Sequence, residues 1–168
     1  MKRIIICGPE SSGKTSLASA LANFFKCPWV PEYARNYISG LHRAYEYSDL
    51  EHIALRQMVQ YLEYSPDDNW PFVFYDTHLI ITQVWFEEVY GSAPWWLRDY
   101  IKKCHYDHFL LCAPDLPWEA DGIRENPGVR REELYFRYQV LIKSYGFSYS
   151  IVRGKGEARL NMALSQIS

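Results

Sequence analysis

No apolar run in this 168-residue sequence approaches the roughly 18 residues that a membrane-spanning helix needs. Met1-Lys2 leads into an apolar stretch without the charged, apolar and small-residue regions of a signal peptide, so a cytoplasmic protein with no membrane partner is expected. Basic blocks are also missing. Eighteen Lys and Arg stand against 20 Asp and Glu, a net charge of −2, which argues against a nucleic-acid partner because backbone phosphates demand a clustered basic face. The four cysteines, Cys7, Cys27, Cys104 and Cys112, show no C-x-x-C spacing, and Cys7 and Cys112 sit in apolar runs where reduced thiols act as small hydrophobes. His105 and His108 lie three apart with no carboxylates or cysteines to complete a metal set, so both read as structural. There is no internal repeat and no low-complexity segment. The length suits one domain over residues 1–168 and leaves no room for a second catalytic module.

What the sequence has in excess is aromatic: 17% of its residues, with six Trp and fourteen Tyr. Some must fill the core, but rings with polar handles also suit a pocket that sandwiches a flat ligand.

The decisive motif is Gly8-Pro9-Glu10-Ser11-Ser12-Gly13-Lys14-Thr15, a match to G-x-x-x-x-G-K-[ST]. Before it runs Arg3-Ile4-Ile5-Ile6-Cys7, a buried-strand pattern, and after it Leu17, Ala18, Leu21, Ala22 and Phe25 fall at helical spacing. That strand, loop and helix order is what a nucleoside triphosphate requires. The loop's N–H groups, from Gly8 through Glu10, Ser11, Ser12 and Gly13 to Ser16, curl round the phosphates, and the helix dipole points inward. Lys14 reaches the β- and γ-oxygens, while Thr15 holds Mg²⁺.

Further strand-like runs at Cys27–Val30, Phe72–Tyr75, His108–Cys112 and Ser148–Val152 alternate with helical stripes. The stripes are Leu50 to Leu62, Leu134 to Tyr145 and Leu160 to Ile167. The pattern predicts an α/β protein of three layers, a P-loop NTPase fold with a five-stranded parallel sheet and helices on both faces. Ser48-Asp49-Leu50-Glu51 reads as a capped helix start, and Gly146 as the stop before the last strand. The segment Ala113 to Gly128, rich in Pro and Gly, reads as a mobile lid loop.

Asp76 closes the third strand and should emerge at the carboxyl edge beside the phosphate loop. There it can hold a Mg²⁺-bound water or take a proton from an attacking hydroxyl; the plainer alternative is a cap for the helix beginning near His78. Glu32 and Arg35, i and i+3 after the second strand, suit acceptor hydroxyls or phosphates, or form a surface ion pair. In the lid, Arg124, Arg130 and Arg131 are candidates to close over a transferring phosphoryl group, against the alternative of a solvated charge run. Glu10 would repel a polyphosphate unless it points away or approaches the acceptor hydroxyl. The turn Gly154-Lys155-Gly156 either holds an adenine edge or simply joins strand to helix.

Taken together, the phosphate loop, Glu32-Tyr33-Ala34-Arg35, Asp76-Thr77 with Thr82-Gln83, and Trp118-Glu119-Ala120-Asp121-Gly122-Ile123-Arg124 resemble the ribosylnicotinamide kinase domain of bifunctional bacterial NAD-salvage proteins. These belong to the P-loop nucleoside and nucleotide kinases. The resemblance covers nearly the whole chain. It implies ATP and Mg²⁺ as cofactors and a small nucleoside or nucleotide acceptor, with transfer of the γ-phosphate to the 5′-hydroxyl of nicotinamide riboside; the alternatives are a P-loop kinase for another nucleoside or nucleoside monophosphate, or a regulatory nucleotide-switch ATPase. Lys14, Asp76, Arg124 and Arg131 would then be catalytic, Thr15 and Asp76 the metal ligands, and Glu32, Tyr33, Arg35, Trp118 and Asp121 the acceptor contacts. Trp118, Trp85 and Tyr33 are the candidate partners of a pyridinium ring, which aromatic faces attract by about 0.5–2 kcal/mol. Two departures stand out. The family tends to carry a second acid two residues beyond the strand-end Asp, where this chain has His78, and no H-x-G-H signature of an adenylyltransferase is present. Completion of the dinucleotide by this chain alone is therefore not expected.

Overall fold

The computed structural model describes residues 1–65, 68–122 and 124–167. Ile123 of the lid motif lies outside them. Five strands, β1 (Lys2–Cys7), β2 (Trp29–Val30), β3 (Phe72–Asp76), β4 (His108–Cys112) and β5 (Tyr149–Val152), form one parallel sheet in the order β2-β3-β1-β4-β5. The helices are α1 (Lys14–Phe25), α2 (Tyr33–Ser39), α3 (Tyr47–Leu62), α4 (Leu79–Tyr90), α5 (Trp95–Lys103), α6 (Val129–Ser144) and α7 (Gly156–Ile167). None is long and apolar enough to cross a membrane among the described residues.

Period-two geometry sorts the apolar strand residues into two cores. Ile4, Ile6, Phe72, Phe74, Leu110 and Cys112 face Leu17 and Leu21 of α1 and Ala163 and Ile167 of α7. Ile5, Cys7, Val73, Tyr75, Phe109 and Leu111 face the other way, onto α3, α4, α5 and α6 through Leu50, Leu79, Leu97 and Leu134. Burial on both faces is why these strands read as unbroken apolar runs.

Much of the aromatic excess lies in the second core. Tyr61, Tyr75, Tyr106 and His78 meet edge to face or tilted, except for the stacked Tyr61–Tyr75 pair, with centroids 5.2–6.4 Å apart, and Arg3 lies 4.5 Å from the Tyr61 ring centroid. His78 belongs to this cluster. Its Nε2 meets the Gln57 carbonyl at 3.1 Å and its Nδ1 the Tyr106 hydroxyl at 3.1 Å, and burial lowers its pKa to about 4.

The start of α3 differs from the expected Ser48–Glu51 box. Glu46 is the cap, and Asp49 reaches back to its N–H at 2.7 Å. Arg43 and the Tyr37 hydroxyl also donate to Asp49, and the guanidinium holds its carboxyl well below the usual carboxylate range. That three-way recruitment moves the box two residues earlier. Gly146 ends α6 as expected, at φ 74°.

Candidate nucleotide and acceptor site

The crevice forms where connections leave the central strand β1 and its neighbour β3 at their carboxyl ends, the usual ligand edge of an open parallel sheet. Register pairs Ile6 with Asp76, so the phosphate loop and Asp76 emerge side by side. Gly8 has φ 146°, and a Cβ there would lie 2.6 Å from the Cys112 carbonyl; Gly13 has φ 73°, and a Cβ would lie 2.9 Å from Leu116. Only glycine fits both the conformation and the space. Gly13 caps α1 without a side chain, and the first turn carries no acid, which leaves the positive end of the helix open to an anion. The Lys14 ammonium donates to the Pro9 carbonyl at 3.0 Å.

A loop that turns N–H groups inward must turn carbonyls outward, and two buried arginines receive them. Arg131 donates to the carbonyls of Glu10, Ser11 and Leu116, each at 2.8 Å. Arg159 donates to Ser12 at 2.8 Å, Ala113 at 3.1 Å and Asp115 at 2.9 Å, and also to Gly154. Arg131, expected over the transferring phosphoryl group, therefore spends its guanidinium on backbone behind the loop. Arg159 had no motif to mark it. The turn after β5 is tied down by Asp115, which accepts the Gly154 N–H at 2.7 Å.

Asp76 is 1% exposed. Thr15 Oγ1 donates to its Oδ2 at 2.5 Å, while Oδ1 is buried without a partner among the described residues. Burial raises its pKa to about 6 against the pull of Lys14 and Thr15. The helix that follows begins at Leu79, with His78 and not Asp76 in the cap position.

In front of the loop lies a cavity of about 380 Å³. Its wall includes Gly8, Glu10 and the run Ser11 to Ser16, then Glu32 and Arg35 of the second connection, and Asp121 and Arg124 of the lid segment. Trp85 joins them from α4, in edge contact with Tyr45 at 5.0 Å. Tyr33 and Trp118 do not line it: the Tyr33 hydroxyl sits 2.8 Å from His52 Nε2 on α3.

The lid segment is pinned to the loop. The Glu10 carboxylate accepts the N–H groups of Glu125 and Asn126 and the Asn126 amide, at 2.9–3.2 Å. The Glu10 carboxylate is thus taken up by the lid segment. Asp121 pairs with Arg35 and, at 3.3 Å, with Arg124, and Arg130 pairs with Glu88 and Glu133.

Comparison with known proteins places this geometry. The family model of the AAA domain matches residues 3–159. The chain belongs to this P-loop AAA-domain family. The trifunctional NAD biosynthesis/regulator protein NadR of Salmonella typhimurium is 32% identical over 128 residues, 74% of this chain and 31% of that protein; NadR of Escherichia coli K12 gives the same identity and coverage. The chain thus spans about a third of the length of these relatives. A crystal structure of a NadR protein in complex with NR superposes with TM-score 0.79 at 23% identity over 99% of this chain and 50% of that one. A deoxyadenosine kinase from M. mycoides with products bound gives TM-score 0.66 at 12% identity over 98% of both. Both structures carry the fold.

Proposed function

We propose that the chain is an ATP-dependent phosphotransferase that phosphorylates the 5′-hydroxyl of nicotinamide riboside. The observation that carries the reading is one continuous cavity that joins the phosphate loop to the Tyr45–Trp85 pair and to Glu32. The NadR relatives support the acceptor, since they are NAD biosynthesis proteins. A flat pyridinium cation is attracted by an aromatic face and a nearby carboxylate, and Glu32, on the cavity wall, is in no ion pair among the described residues.

Lys14, the loop N–H groups and the open end of α1 grip the triphosphate. The Thr15 hydroxyl and the orphaned oxygen of Asp76 fit Mg²⁺, which binds through one or two protein oxygens and keeps most of its waters. Magnesium supplies neutralisation of charge on the β- and γ-oxygens. Asp76 orients the attacking hydroxyl, and Arg124 stabilises charge on the transferring group. Most of the acceleration comes from positioning and electrostatics.

Steady-state ATP turnover with Mg²⁺ tests the reading across nicotinamide riboside, the common ribo- and deoxyribonucleosides and their monophosphates, with each product weighed by mass spectrometry. Turnover confined to nicotinamide riboside supports it. Turnover with a deoxynucleoside instead moves the acceptor toward that of the deoxyadenosine kinase with the same fold. Binding of ATP with no product from any acceptor sinks the kinase reading.

A further inference from the structure

Thr77, next to Asp76, has no part in the site as described, and folding alone does not account for it. Its backbone is left-handed at φ 69°. The other non-glycine residues in that region among the described ones are Ser11 and Lys26, so Thr77 is the β-branched case, the side-chain type least suited to it. The side chain is 6% exposed, and Oγ1 is buried with no hydrogen-bond partner among the described residues. A glycine would relieve the backbone and a valine would remove the orphan hydroxyl without changing shape. Either would favour the folded state.

Strain and an unsatisfied buried polar group together mark a residue held for what it does with a ligand. Thr77 forms part of the cavity wall, and its N–H, bonded to the Ile6 carbonyl at 3.0 Å, fixes it beside the base of the phosphate loop. We propose that Thr77 orients the acceptor: its hydroxyl turns into the cavity on binding and hydrogen-bonds the acceptor oxygen that Asp76 also addresses. The strained backbone keeps the side chain at that spot. This rests on the kinase reading above but not on which ring the acceptor carries.

The test uses Thr77→Val, Thr77→Ser and Thr77→Gly with nicotinamide riboside and ATP. Thr77→Val is expected to melt at or above the wild-type temperature and to bind ATP within about twofold of wild type, while kcat/KM for the acceptor falls about 100-fold. Thr77→Ser, which keeps the hydroxyl, should return to within about fivefold of wild type. Should Val fail to fold, Ser and Gly both relax the backbone and differ only in the hydroxyl and its carbon, so their ratio reads the same quantity. A Val variant with wild-type kcat/KM, or a Ser variant as impaired as Val or Gly, overturns the proposal. No product from the wild type with nicotinamide riboside overturns the acceptor assignment alone, and the same variants are then compared on whichever nucleoside the wild type phosphorylates; a wild type that phosphorylates none overturns the kinase reading and this proposal with it.

Discussion

Arginines on two sides of the same loop do opposite things. Arg131, 6% exposed, ends on neutral backbone carbonyls behind the phosphate loop, and Arg159, 4% exposed, on carbonyls and the one carboxylate of Asp115, whereas Arg35 and Arg124 at the cavity rim share the carboxylate of Asp121 and Arg130 pairs with Glu88 and Glu133. A guanidinium satisfied by carbonyls alone keeps its positive charge, so, while Asp115 offsets that of Arg159, Arg131 also adds to the field that a triphosphate meets. Its planar fork spans several carbonyls at once, which an ammonium cannot copy. At the rim each arginine already faces a carboxylate, Arg35 and Arg124 sharing Asp121, and a phosphate can take a carboxylate's place at little cost. One set preorganises the floor, and the other is available for exchange.

The strongest break removes the one cation that faces the phosphates from the loop itself. Lys14→Ala should lower turnover by about 10³-fold or more while the melting temperature stays within a few degrees, because among the described residues the ammonium hydrogen-bonds only the Pro9 carbonyl. Steady-state kinetics and a thermal melt read both halves. Wild-type turnover would remove Lys14 from the phosphate site.

Next comes the brace. Arg159→Met keeps the apolar stem and strips the donors to the Ser12 and Ala113 carbonyls, and leaves Asp115 with the Gly154 N–H but without its cation. The expected loss is about 3–5 kcal/mol in urea unfolding, with weaker ATP binding on top. A variant as stable as wild type would show that the floor needs no brace.

Buried polar groups elsewhere should behave like the brace and not like the rim. His78 is held neutral in the aromatic core with a pKa of about 4, below its unfolded value of about 6.5. The unfolded chain therefore binds the extra proton first as pH falls. Stability contributed by the neutral ring is full above about pH 6.5 and is lost progressively down to about pH 4, by up to about 3 kcal/mol. Urea midpoints between pH 4 and 7 measure it, and His78→Gln should flatten that part of the profile. An unchanged slope in the variant would assign the acid loss to other groups.

The site was legible in the sequence where chemistry dictates spacing. Gly8, Gly13, Lys14 and Thr15 have fixed offsets because a phosphate has a fixed size, and Asp76 announced itself by ending an apolar strand. Arg159 and Arg131 could not be read in the same way, since their partners are carbonyls, which every residue carries. Tyr45 was hidden because its place beside Trp85 depends on how the chain between α2 and α3 folds across α4. Tyr33 and Trp118 misled by proximity in sequence, for neighbours of a motif face the ligand only when the local helix or loop phase allows it. His78 stands where the family tends to carry a second acid, yet the single residue between it and Asp76, the left-handed Thr77, turns it into the core.

The gentlest prediction sharpens the contrast at the rim. Arg35 is exposed and meets Asp121 across the cavity, so Arg35→Ala should change unfolding free energy by less than about 0.5 kcal/mol. If the pair exists to be exchanged on binding, the same variant should raise KM for ATP or for the acceptor by about tenfold, with kcat falling less. Asp121→Asn separates the two roles: it frees both Arg35 and Arg124 from their carboxylate, and should therefore leave KM equal or lower while loosening the lid. Opposite signs in the two variants identify Asp121 as a placeholder for ligand charge. Equal losses would identify the pair as a fixed strut, and would place the rim with the floor.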